Sequence, residues 1–198
     1  MRAPRSASCV RISPVNLHAN LTGNLVDQFE RVATLAAASV ERIAPSAAAL
    51  AQAVQRVAAN AASICVAEPA DLPVHLFSEC RRLPNLVAGR TKAQLAACDV
   101  GVTDAFAGVA TTGSLCLRVG NSYGVYASLL PRLHVAVLDA RDIVARPGDL
   151  FREDCLGGKG LRESFVYVTG PSATADMGEL VRGVHGPHRL HIVIVEEP

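Results

Sequence analysis

Apolar residues at Leu25, Val26, Phe29, Val32 and Leu35 recur at three- and four-residue intervals, a spacing that predicts a helix over 25–38 with Asn24 as its N-cap. A second helix is predicted over 47–59. There Leu50, Val54 and Val57 share one face behind the start signals Pro45 and Ser46. Between them, 39–43 is short, and its pattern does not choose between helix and strand. After residue 62 the rhythm changes to short continuous apolar runs at 64–67, 86–88, 100–102, 115–119, 134–138, 165–168 and 190–195. Helices are expected among them at 92–98, capped by Thr91, and at 124–130, 148–155 and 175–181. Strand-sized runs alternating with helices imply an α/β domain. Runs without polar alternation imply strands buried on both faces, so the sheet is expected to be open and largely parallel, wrapped by helices.

Composition narrows the function classes. The chain has 198 residues, 50% hydrophobic and 19% charged, which suits one globular domain and excludes a wholly disordered chain. No apolar run reaches the roughly 18 to 20 residues of a membrane-spanning helix. Nineteen basic against eighteen acidic side chains give a formal net charge of +1, so no basic excess exists to drive nucleic-acid binding. Aromatics at 4%, with no Trp, leave no platform for stacked bases. Residues 1–20, rich in Arg, Pro and Ser and without the apolar stretch of a secretion signal, read as a loose tail before a single domain over 21–198. The six cysteines at 9, 65, 80, 98, 116 and 155 form no CxxC pair. They are expected as free thiols in a reducing cytoplasm, with no metal or cofactor held by this chain.

Three polar clusters fall between the apolar runs. Thr111-Thr112-Gly113-Ser114 precedes the run at 115–119. A glycine among hydroxyls can gather N–H and O–H donors around an anion, or simply close a tight turn. Gly170-Pro171-Ser172-Ala173-Thr174-Ala175-Asp176 follows the run at 165–168. A strand, a glycine turn and a helix start are where α/β sheets hold ligands, and Ser172, Thr174 and Asp176 are equally good helix caps. Gly183-Val184-His185-Gly186-Pro187-His188 leads into the last run. His185 among glycines is a candidate general acid or base, or a side chain that pins the turn. His185 and His188 have no third ligand nearby, so no metal site is expected. His191 lies inside the last strand and reads as structural. The charged stretch with Asp139, Asp142 and Asp149 around Arg141 and Arg146 reads as a solvated loop, and Gly157-Gly158-Lys159-Gly160 lacks the spacing of a phosphate loop.

Thr112-Gly113-Ser114, the Leu129-Leu130-Pro131-x-x-His134 step, Gly170-Pro171-Ser172-x-Thr174-Ala175-Asp176 and Gly183-Val184-His185-Gly186-Pro187 occur in an order and spacing that resemble the LUD-domain family over roughly 25–198. The resemblance implies a fold similar to ribose-5-phosphate isomerase, glucosamine-6-phosphate deaminase and the CoA transferases. It also implies a role in L-lactate oxidation to pyruvate, in the cytoplasm, beside iron–sulfur partner subunits that carry the clusters. Within that reading His185 is the candidate acid/base. Thr112, Gly113, Ser114, Gly170, Ser172, Thr174, Asp176 and Gly186 are the candidate ligand-binding residues, for a small carboxylate or phosphorylated ligand. Two positions depart from the family pattern. Thr111 stands where an acidic residue is common, which weakens a carboxylate nucleophile, and Gly178 alters the helix start after Asp176. The alternatives are a stand-alone enzyme or binding protein for a phosphorylated or CoA-linked metabolite, resting on fold analogy, and a scaffold whose loops are structural.

Overall fold

The computed structural model describes residues 18–89, 91–119, 122–152, 164–174 and 180–197. Its centre is a five-stranded parallel sheet in the order β1 (Ser39–Ile43), β11 (Arg189–Val195), β6 (Leu133–Asp139), β3 (Val100–Ala105), β2 (Ile64–Val66). Side chains alternate across each strand, and both sides are covered. Leu133, Val135, Val137, Val193 and Val195 face one core with Leu50 and Val54 of α2 (Ala47–Val57). Ala136, Leu138, Ile192 and Ile194 face a second core with Val26, Phe29 and Ala33 of α1 (His18–Leu35). This double burial explains the unbroken apolar runs.

A second sheet lies beyond α1, in the order β7 (Ile143–Val144), β4 (Ala107–Val109), β5 (Ser114–Arg118), β8 (Phe165–Val168). Leu115 and Leu117 of β5 join the α1 core, so α1 is wedged between the two sheets. On its outer side Val109, Cys116 and Phe106 pack on Leu150. A two-stranded ribbon pairs β9 (Ala173–Thr174) with β10 (Val181–Arg182). Two short helices, α3 (Lys92–Ala96) and α4 (Ser122–Leu129), pack on one another at the β2 edge, with Leu95 and Ala127 buried.

Several expectations change. α1 begins at His18, so Asn24 lies inside the helix and is not its cap. Ser39–Ile43 is a strand, pairing with β11 in parallel. The runs at 115–119 and 165–168 are antiparallel partners in the second sheet, not members of the parallel one. Of the helix expected at 148–155, residues 153–155 lie outside the described residues and Pro147–Phe151 is a 3₁₀ turn, and the run at 86–88 makes a single bridge, Leu86 to Ile64. Of the helix expected at 175–181, residues 175–179 lie outside the described residues and Val181–Arg182 is strand. Asp139 is not in a solvated loop: it is 9% exposed at the end of β6. Burial would raise its pKa, but the Arg141 guanidinium and N–H bonded to the carboxylate hold it below the usual value. Ser46 and Thr91 do cap α2 and α3, accepting from the N–H of Ala49 and Gln94, with Gln94 completing a capping box at α3. The tail expected at 1–20 lies, for 1–17, outside the described residues, as do the Gly157–Lys159 segment, Cys9 and Cys155.

Phe29 is fully buried where α1 meets both sheets. Phe29→Ala is expected to lower stability by about 3–5 kcal/mol. Arg31→Ala, on the exposed face of the same helix, should change it by less than about 0.5 kcal/mol in the same urea titration.

Candidate functional site

Two of the three polar clusters meet. The Ser172 N–H donates to the Pro187 carbonyl at 3.0 Å, and the Gly183 N–H donates to the Ser172 carbonyl at 2.8 Å. Ribbon β9–β10, with Thr174 opposite Val181, continues this stitching outward. Between these loops and the amino ends of β6 and β11 lies a cavity of about 420 Å³, lined by Gly170, Ser172, His185 and Gly186 together with Ser128 and His134. That volume is in the range of small-molecule sites. The Ser172 hydroxyl and the exposed His185 ring have no hydrogen-bond partner among the described residues, so their bonding capacity is open to a ligand. Gly186 is held close to Ser172, where an added Cβ would lie 3.2 Å from the serine Cβ.

The first cluster is placed differently. Thr112 and Gly113 form the tight turn joining β4 to β5, with the N–H of Gly113 on the Val109 carbonyl at 2.9 Å. Gly113, at φ 62°, sits against α1, where a Cβ would lie 2.4 Å from the Ala33 nitrogen. Neither lines the cavity. Ser114 is buried behind its wall. The Ser114 Oγ donates to Thr112 Oγ1 at 2.7 Å and accepts from Thr169 Oγ1 at 2.7 Å, and Thr169 lines the cavity. A single hydroxyl chain thus ties the turn to the site. Gly170, at φ 69°, rests on the end of α1, where a Cβ would meet the Ala36 carbonyl oxygen at 2.0 Å. Thr174 stands beyond the cavity in β9, and Asp176 lies outside the described residues.

The sequence reading did not single out Ser128 or His134 as site residues. His134 is the second residue of β6, only 1% exposed, and its Nε2 meets Thr103 Oγ1 of β3 at 2.9 Å. Burial pushes its pKa down to about 4, so the ring is neutral at physiological pH. The signal was present, a histidine starting an apolar strand, but such a residue usually serves the core. No Lys or Arg lines this cavity among the described residues. Its polar groups are hydroxyls, imidazoles and main chain, which suit a small, weakly charged, hydroxyl-bearing ligand.

Elsewhere, Cys65, Cys80, Cys98 and Cys116 are buried, and burial pushes the Cys65 thiol up to about 12 and the Cys80 thiol up to about 11. Such thiols are poor nucleophiles and poor ligands. No group of three or more metal-ligating side chains converges among the described residues. No helix among them is long and apolar enough to cross a membrane.

The family model described as LUD domain matches residues 26–195. Lactate utilization protein C of Halalkalibacterium halodurans is 35% identical over 103 residues, covering 50% of this chain and 45% of that protein. The protein of the same name from Bacillus subtilis is 32% identical over 103 residues, covering 50% and 43%. The chain spans about half the length of the curated relatives it matches. A crystal structure of a DUF162 family protein from Deinococcus radiodurans shares the fold, with a TM-score of 0.65 at 22% identity, over 88% of this chain and 98% of that one.

The depressed pKa of His134 sets a pH dependence. Folded, the ring takes a proton only near pH 4; unfolded, it does so near 6.5. Between these values the unfolded state binds the extra proton, so His134's contribution is whole above about pH 6.5, falls as pH drops, and levels below about pH 4. The urea midpoint is expected to fall from roughly pH 7 to pH 4.5 more steeply in the native protein than in His134→Asn.

Proposed function

The chain belongs to the LUD domain family, and from that premise we propose that it works in L-lactate utilization, as a subunit acting beside iron–sulfur partners in the oxidation of L-lactate to pyruvate in the cytoplasm. The observation that carries this reading is its similarity to several proteins named lactate utilization protein C. The cavity supplies a place for the acid. Oxidising lactate to pyruvate removes two electrons and two protons, one proton from the carbinol carbon and one from its hydroxyl. In this reading the electrons pass to the partners' clusters, the carbon-bound proton is released to water, and this chain binds and orients the acid and exchanges the hydroxyl proton.

The geometry supports a division of labour within this reading. Ser172 offers a free hydroxyl to the substrate carboxylate, with Gly170 and Gly186 keeping the walls on either side low enough for close approach. His185, on bent backbone and without a partner among the described residues, exchanges the proton with the substrate hydroxyl. His134, neutral and fixed by Thr103, keeps the floor polar without placing a charge there. Thr112 and Ser114 act at one remove, holding Thr169 through the hydroxyl chain. Thr174 extends the ribbon that follows Ser172. A phosphate or CoA ester would need a cation, and none lines this cavity among the described residues.

The test is affinity purification of the tagged full chain from its native host grown on L-lactate, with the eluate assayed for iron–sulfur absorbance and L-lactate-dependent dye reduction. Co-purified iron–sulfur partners with that activity are expected, and unchanged growth on L-lactate after deletion of the gene, with no paralogue present, would defeat the reading. In the purified assembly His185→Ala is expected to lower dye reduction by about a hundredfold or more. Ser172→Ala should lower it by about tenfold, chiefly through KM. Both variants should keep the native melting temperature; full activity in both would reduce the loops to a structural role.

A further inference from the structure

A second cleft, of about 770 Å³, opens on the other side of the segment that carries His185. It lies at the amino ends of β1, β11, β6 and β3, beyond the last turn of α2, on the face of the sheet that α2 covers. Three arginines line it. Arg56 is paired with Glu41. Arg132 and Arg189 are exposed and have no anionic partner among the described residues. Main chain holds these two together, since the Arg189 N–H donates to the Arg132 carbonyl at 3.1 Å at the mouths of adjacent parallel strands. The one carboxylate in the lining, Asp99, is already engaged by the N–H groups of Ala62 and Ser63 and by the Ser63 hydroxyl.

An independent observation comes from His191, two residues along β11 and on the same face as Arg189. It lines the cleft and is only 4% exposed, yet its Nε2 has no hydrogen-bond partner. The Ser39 Oγ meets the other ring nitrogen, Nδ1, at 2.8 Å. Glu41 Oε2 stands 3.6 Å from Nε2, beyond hydrogen-bond length. An orphaned polar atom this deep calls for a partner.

We propose that this cleft binds a small phosphorylated ligand bearing a free hydroxyl, its phosphate held by Arg132 and Arg189 and its hydroxyl hydrogen-bonded to His191 Nε2. Guanidinium forks match phosphate oxygens pairwise, and paired arginines from adjacent strands present two such forks side by side. Same-face neighbours on a strand stand roughly 6.6 Å apart, about the separation of a phosphate and a hydroxyl across a three-carbon backbone. The site is distinct from the lactate cavity: that one has no cation among its described lining residues, while this one has three.

The test is isothermal titration of the full chain with glycerol 3-phosphate, methyl phosphate and sulfate at fixed ionic strength. Glycerol 3-phosphate is expected to bind saturably with one site per chain. Arg132→Ala/Arg189→Ala, changing exposed side chains only, should weaken it by about tenfold or more. Methyl phosphate and sulfate, which cannot reach His191, should bind by at least about fivefold less. Equal binding in the double variant overturns the site, as does absence of heat up to roughly 10 mM ligand. Sulfate binding as tightly as glycerol 3-phosphate overturns the assignment of His191 and leaves only a general anion patch.

Discussion

Everything distinctive in this structure depends on α1 being clamped between two sheets. Phe29 and Ala33 are fully buried, with Ile192 and Ile194 of the parallel sheet on one side and Leu115 of the second sheet on the other. A helix buried on two sides cannot shift toward either without opening a void, and voids of that kind cost several kcal/mol. Two turns use α1 as an anvil. Gly113 lies against Ala33 and Gly170 against the Ala36 carbonyl, both at positive φ, in contacts that leave no room for a side chain. The position of the Gly170–Ser172 loop is therefore inherited from the core. A binding loop seated on a rigid element loses less entropy when its ligand arrives than one hanging free.

The same clamp accounts for the polar edge strand that the sequence pattern left undecided. In β1 only Ile43 is a buried hydrophobe. Glu41 turns toward α2 and pairs with Arg56, while Arg42 turns toward α1 and pairs with Glu30 and Asp27. Ion pairs this exposed are worth little singly. Here they replace the apolar residues that a central strand would show, and they protect a sheet edge with charge. The parallel strands buried on both faces were legible because burial forces continuous apolar runs. β1 was not, because half its partners are charged. β7 has two residues and no pattern to read, β5 looks like its parallel counterparts because burial, not strand direction, selects its residues, and β8 is an apolar strand at the sheet edge with Val166 and Tyr167 exposed.

The site was legible to a similar degree, for a related reason. Glycine, proline and hydroxyl residues mark where backbone bends, and two of the three clusters do bend around one cavity. The third, Thr112-Gly113-Ser114, carries the same residue types for a different purpose: its glycine makes room for α1, and its serine hands a hydrogen bond to Thr169. Composition alone cannot separate a turn that faces a ligand from one that faces a helix. His134 was hidden in the opposite sense. Its neighbours in β6 are all core residues, and only the cross-strand partner Thr103 and the cavity beneath Ser172 distinguish it.

One short segment has cavities on both sides. His185, Gly186 and Pro187 line the first, His188 and Arg189 the second. Gly183, at φ 78°, packs against the His188 ring, so the segment folds back on itself instead of running straight into β11. Both ends are fixed, by the Ser172 bonds on one side and by the Arg132–Arg189 strand pair on the other. The short loop before the last strand is thus a wall shared by both cavities, held by main-chain bonds at each end.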